Sequence, residues 1–141
     1  MGERHIMRSI RLLAQCMQQF EKLSSREIRQ LGLTHAQFDI IATLGNTTGM
    51  SCKELGEKTL ITKGTLTGVL DRLEQKGYTL RTRSCTDRRH FHICLTPLGE
   101  QIFADTFPHV VHMMQDRFAD MPTDDFIILE EQLGKLKARL M

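Results

Sequence analysis

Apolar side chains recur along this chain at the three- and four-residue spacing of helices, and one alternating run interrupts them. Ile6, Ile10, Leu13, Met17 and Phe20 follow one another at +4, +3, +4 and +3, which predicts an amphipathic helix over about residues 5–30. Leu66, Val69, Leu70 and Leu73 fall at i, i+3, i+4 and i+7 and predict one buried stripe on a shorter helix. Phe126, Leu129, Leu133, Leu136 and Leu140 repeat the long pattern near the C-terminus. Between them Phe91, Ile93 and Leu95 alternate with His92 and Cys94, the period of a strand. Tyr78 to Arg83 can pair with that strand, and the polar residues 84–90 read as the connecting loop. The order is helix, helix, short helix, longer helix, hairpin, long helix, helix: a mainly α fold with a small β-hairpin.

Helix starts are marked by capping chemistry. Thr34-His-Ala-Gln37 is a capping box with Leu33 and Phe38 as its hydrophobic staple, and Ser51-Cys-Lys-Glu54 repeats it with Met50 and Leu55. Thr62, with Ile61 and Leu66 as a staple, marks a third start, although no Glu or Gln follows at the reciprocal position. Thr96-Pro97 puts proline at the first helical position. Thr123 followed by Asp124 and Asp125 sets two acids at the positive end of a helix dipole. Gly32, Gly45, Gly49 and Gly77 stand where helices stop.

Residues 51–76 have the layout of a helix-turn-helix: a capped helix over 51–58, a turn at Thr59–Ile61, and a second helix from Thr62. Opposite the apolar stripe, that second helix shows Thr62, Lys63, Gly64, Thr65, Thr67, Gly68 and Arg72. Such small, hydroxyl-bearing residues allow close approach to base edges and phosphates in a major groove. Two capped helices with a tight turn also occur in plain bundles, so the following hairpin matters. It carries Arg81 and Arg83 on one arm and Arg88 and Arg89 at its tip, where arginines can enter a minor groove. Asp87 beside them reads as structural, holding an arginine or the tip backbone.

Charge sharpens the picture. The 141 residues carry 19 Lys and Arg against 17 Asp and Glu, a formal +2 that by itself argues against a polyanion partner. That total hides a gradient: +2 over residues 1–50, +4 over 51–95 and −4 over 96–141. The basic middle coincides with the helix-turn-helix and hairpin, as a nucleic-acid footprint requires. A solvated face of mixed charge is the plainer alternative. The four cysteines are too scattered for a zinc ribbon and read as free thiols. With no apolar run of membrane-spanning length and no apolar stretch in the charged start, a cytoplasmic protein is expected.

Asp71-Arg-Leu-Glu-Gln-Lys-Gly77, Arg81-x-Arg83, Asp87-Arg-Arg89 and Leu95-Thr-Pro-Leu-Gly99, in this order and spacing, resemble the multiple-antibiotic-resistance regulator (MarR) family of bacterial transcription factors. The resemblance continues through Leu33-Thr-x-x-Gln-Phe38 and the terminal helices. It implies one MarR-like domain over 1–141, with a winged-helix DNA-binding lobe at 33–95 and dimerisation helices at 1–31 and 96–141. It further implies a homodimeric repressor on a pseudopalindromic operator of double-stranded DNA, relieved by a small-molecule effector. Ile6, Ile10, Leu13, Met17, Phe126, Leu129, Leu133, Leu136 and Leu140 would form the dimer seam. At Thr79-Leu80 the chain departs from the family, which more often has a branched apolar residue followed by arginine.

Two other chemistries are carried as candidates. Cys16 invites an oxidant-sensing reading, against which a cysteine beside Leu12, Leu13 and Met17 reads as an inert core thiol. His109 and His112 share a helical face and, with Asp39, are candidate metal ligands, or else line the dimer interface. No P-loop, nucleophile elbow or H-E-x-x-H is present, so neither an enzyme nor a bound cofactor is expected. A protein-interaction bundle that ignores DNA is the remaining class.

Overall fold

A computed structural model describes residues 2–83 and 90–141. The elements in chain order are α1 (Gly2–Gln30), α2 (His35–Leu44), β1 (Met50–Ser51), α3 (Cys52–Thr59), α4 (Lys63–Gln75), β2 (Thr79–Arg83), β3 (Phe91–Leu95), α5 (Pro97–Arg117) and α6 (Thr123–Leu140). The chain divides into two compact units, Met1–Val110 and Val111–Met141.

In the first unit the caps act largely as their residue types dictate. At α2 both halves of the box form: the Gln37 amide donates to Thr34 Oγ1 at 3.2 Å, and the Thr34 amide donates to Gln37 Oε1 at 3.1 Å. The α3 cap is one-sided, with Ser51 Oγ accepting from the Glu54 amide at 3.1 Å. Helix α4 ends at Gly77 (φ +79°), whose amide reaches Glu74 O at 2.9 Å while the Tyr78 amide reaches Leu73 O at 2.9 Å. These are the paired bonds of a glycine-terminated helix.

Ile28 of α1, Ile40, Ile41 and Leu44 of α2, Leu55 of α3 and the predicted α4 stripe are all buried. The sheet has the order β1-β3-β2, antiparallel throughout, with Thr79 opposite Leu95 and Arg83 opposite Phe91. The hairpin is therefore the predicted one. Strand β1 is an addition to the expected elements: its two residues pair Met50 with Ile93 and Ser51 with His92, and two residues are too few to show a period.

Strand β2 opens with an anomaly. Thr79 is only 2% exposed, and its hydroxyl is the one buried side-chain polar atom without a partner among the described residues. A buried hydroxyl with no acceptor has lost its water for nothing in return. Thr79→Val, which replaces that hydroxyl by a methyl, should stabilise the protein by about 1 kcal/mol. Thermal melting followed by circular dichroism checks this; an unchanged or lower midpoint would show that the hydroxyl is satisfied.

The second unit holds the end of α5 and all of α6. Phe118 meets Phe126 edge to face at 5.7 Å between ring centres, and Lys135 pairs with Glu131 at 3.2 Å. The cap of α6 is Pro122 rather than Thr123, which becomes the first helical residue. Proline fixes φ near −63° at that position, which suits an extended cap residue, so the helix starts without a capping hydroxyl. Asp124 and Asp125 still occupy the first turn. No residue of α6 is buried.

Candidate nucleic-acid interface

The turn between α3 and α4 is tight because Leu60 takes a left-handed conformation (φ +60°), its amide closing on Gly56 O at 2.9 Å. Thr59 secures the approach by donating to Leu55 O at 2.7 Å. Leu60 itself is 85% exposed. The turn delivers α4 with Leu66, Val69, Leu70 and Leu73 inward and Thr62, Lys63, Gly64, Thr65, Thr67, Gly68 and Arg72 outward. The predicted reading face is thus one continuous exposed surface.

The start of α4 differs from those of α2, α3 and α5. Thr34, Ser51 and Thr96 each cap their helix with a side-chain oxygen. Thr62 does not; its hydroxyl donates to Thr65 Oγ1 at 3.2 Å, and among the described residues no side chain accepts from the first amides of α4. The expectation of a capping Thr62 is corrected here. Amides left without an acceptor at the positive end of a helix suit a phosphate oxygen. Gly64 and Gly68 add a second feature: a Cβ built on either meets nothing within 4 Å. No neighbour in the chain requires glycine at either place, and glycine weakens a helix interior.

The basic side chains fall into two groups. Arg81 does not add free charge to the hairpin, contrary to its reading from sequence. Its Nε donates to Glu74 Oε2 at 3.0 Å, and its Nη2 reaches Glu74 at 2.7 Å and also Asp71. The hydrogen bond to Glu74, and then that to Asp71, raise the guanidinium pKa still further. Arg81 therefore ties β2 to α4. Lys76 is also engaged, donating to Gly32 O at 3.3 Å and Gln37 Oε1 at 3.2 Å. Lys63 and Arg72 are exposed on the reading face, and the Arg83 guanidinium lies 5.9 Å from the Phe91 ring centre across the hairpin. Asp87, Arg88 and Arg89, the expected wing tip, lie outside the described residues.

The other candidates are not gathered into one site. His109 meets Glu27 at 3.3 Å, whereas His112 meets Asp116 at 3.4 Å. Burial raises the Asp39 pKa and His35 partly opposes this. Among the described residues no group of three His, Cys, Asp or Glu is placed to hold a metal ion. Cys16 is exposed rather than buried, which corrects the core-thiol reading. Of the predicted seam, Ile6, Ile10, Met17, Leu129, Leu133 and Leu140 are exposed, and Leu13, Phe126 and Leu136 are half-buried. No described helix is long and apolar enough to cross a membrane.

Residues 33–91 match the MarR family model. The HTH-type transcriptional regulator SarZ of Staphylococcus saprophyticus is 32% identical over 106 residues, 75% of this chain and 71% of that one. The match to SarZ of Staphylococcus epidermidis is 35% identical over 75 residues and spans about half of each protein, 53% of this chain and 51% of that one. Among solved structures, AbsC, a MarR family transcriptional regulator from Streptomyces coelicolor, has a TM-score of 0.85 at 22% identity, covering 95% of this chain and 93% of its own. Reduced AbfR bound to DNA has a TM-score of 0.81 at 24% identity, with both chains fully covered. Capped helix-turn-helix, hairpin and terminal helices thus lead to one conclusion: the chain belongs to the MarR family of DNA-binding transcriptional regulators, proteins that are not enzymes.

Proposed function

We propose that this regulator acts in the cytoplasm as a homodimeric repressor on a pseudopalindromic operator, released by a small-molecule effector. The observation that carries the reading is the exposed face of α4, with its uncapped amides, small residues and the cations Lys63 and Arg72. In this reading Thr62, Lys63, Gly64, Thr65 and Thr67 meet the major groove, Arg72 and Arg83 meet phosphates, and Arg88 and Arg89 enter the minor groove while Asp87 holds the tip. Dimerisation takes its support from the apolar residues left exposed along α1 and α6, since a face of that kind calls for a partner. Two half-sites need two reading units about one helical turn apart.

A gel-shift titration against the DNA upstream of its own gene is the test. Affinity should fall steeply with salt, by about 0.9 in the log–log slope for each phosphate contact. Arg89→Ala should weaken operator binding with no change in melting temperature. Absent or salt-insensitive binding rejects the reading, and loss of the fold would move Arg89 to a structural role.

Gly68 allows a finer test. Gly68→Ala adds a methyl that meets nothing within the chain and should stabilise α4 by roughly 0.5–1 kcal/mol. The same methyl should weaken operator binding, because it stands between the helix and the groove floor. A variant that is more stable and binds equally well would show that the glycine is not there for close approach.

A further inference from the structure

All six basic residues of the first fifty lie on α1: Arg4, Arg8, Arg11, Lys22, Arg26 and Arg29. They form two triads of identical spacing, four then three residues, and the second triad repeats the first after five whole turns. At 100° per residue the six fall within a sector of about 60°. All six are exposed, and among the described residues none makes an ion pair. Gln15, Gln18 and Gln19 fill the interval between the triads. The acids of the helix stand off the stripe. Glu27 is turned to His109, and Glu3 and Glu21 are about 80° around from its edge, although Glu21 borders one cleft with Lys22, Arg26 and Arg29.

The stripe lies on the reverse of the helix from Ile6, Ile10, Leu13, Met17 and Phe20. That apolar line continues into the buried Ser24 and Ile28, so the packing side of α1 is the apolar side and the cations face outward. Among the described residues no acidic partner offsets this arrangement. Like charges three and four residues apart weaken a helix, and Arg4 sits at the positive end of the dipole.

We infer that this stripe is a second DNA-contacting surface, which holds the sugar–phosphate backbone of duplex DNA beyond the bases read by α4. The occupant is chosen by charge and length. The stripe is acid-free, and it spans about 37 Å between Arg4 and Arg29, close to the 34–36 Å turn of a duplex with its regular row of phosphates. The inference rests on the DNA-binding reading of α4, but the two can be separated.

Two triple variants of the full chain serve as the test: Arg4→Gln/Arg8→Gln/Arg11→Gln and Lys22→Gln/Arg26→Gln/Arg29→Gln. Glutamine keeps the helix propensity and removes the charge. Fluorescence anisotropy would use a labelled duplex of arbitrary sequence several turns long, titrated over a salt series. Each triple should lower affinity by roughly tenfold at moderate salt and flatten the log–log salt slope by about 1 to 3. Melting temperature should stay level or rise, because repelling charges have gone. Unchanged slopes in both triples would overturn the inference. So would dissociation of the dimer in sedimentation, which would make the stripe a contact between subunits. Loss of binding to phosphatidylglycerol vesicles with DNA binding intact would overturn it in favour of a lipid surface. The comparator is Lys63→Gln/Arg72→Gln. If it loses DNA while the α1 triples do not, the inference fails and the reading of α4 stands; indifference of all three variants sinks both.

Discussion

Gly99→Ala is expected to lower the stability of this regulator by about 3 kcal/mol, the upper end for overpacking at a tight site. At Gly99 the first turn of α5 crosses the α4–β2 connection, and a Cβ there would collide with the carbonyl oxygen of Tyr78. That carbonyl has no room to retreat. It accepts from the Thr96 amide at 3.0 Å, and its own residue closes α4 through the Tyr78 amide and Leu73 O at 2.9 Å. Thr96 binds the same junction twice more, donating to Gly77 O at 2.5 Å and accepting from the Gly99 amide at 3.0 Å. The side chain of Leu95, 3.2 Å from the new methyl, blocks the other direction. A control lies in the same chain: at Gly134 of α6 a Cβ meets nothing within 4 Å. Gly134→Ala should instead stabilise by up to about 1 kcal/mol, from helix propensity alone. Urea denaturation of both variants decides the matter; equal midpoints would show that the crossing yields freely.

The second large effect concerns assembly. Leu129 is 47% exposed, so Leu129→Asp costs the isolated chain little beyond a few tenths of a kcal/mol of helix propensity. In a dimer built on this seam the substitution places an unpaired carboxylate against apolar surface, once from each subunit by symmetry. The dimer dissociation constant should rise by at least a hundredfold, about 3 kcal/mol, and operator affinity should fall with it. Analytical ultracentrifugation reads the first and a gel shift the second. An intact dimer would remove Leu129 from the seam.

The parts of the fold that were legible in the sequence are those governed by local chemistry. The α4 stripe, the Thr34 box and the hairpin could be read because helical period, capping and alternation each act over a few residues. Arg81 shows where such reading stops. Its partners Asp71 and Glu74 share one face of α4, but only the turn at Gly77 brings β2 back across that face, and the residue types do not encode that return. β1 has no signature in the sequence for a similar reason, being defined by pairing with β3 rather than by its own two residues. The missing cap at Thr62 depends on how a rotatable side chain turns, whether its oxygen faces the helix amides to accept from them or its hydroxyl donates to Thr65 Oγ1.

The pairing of Met50 with Ile93 has a mechanical consequence. It closes a ring in the backbone that begins before α3 and ends in the second arm of the hairpin, and the Arg81 ion pairs form a strut across it. Closing so long a loop costs only a few times RT more than closing a short one, so the ring is inexpensive to hold shut once formed. Within it the reading helix and the hairpin base are fixed in relative pose. A signal that reaches this unit can tilt it or move it bodily, but the ties of α4 to β2 among the described residues oppose turning α4 alone. In the effector-controlled homodimer proposed above, control would work as a caliper does, by changing the span between two rigid jaws.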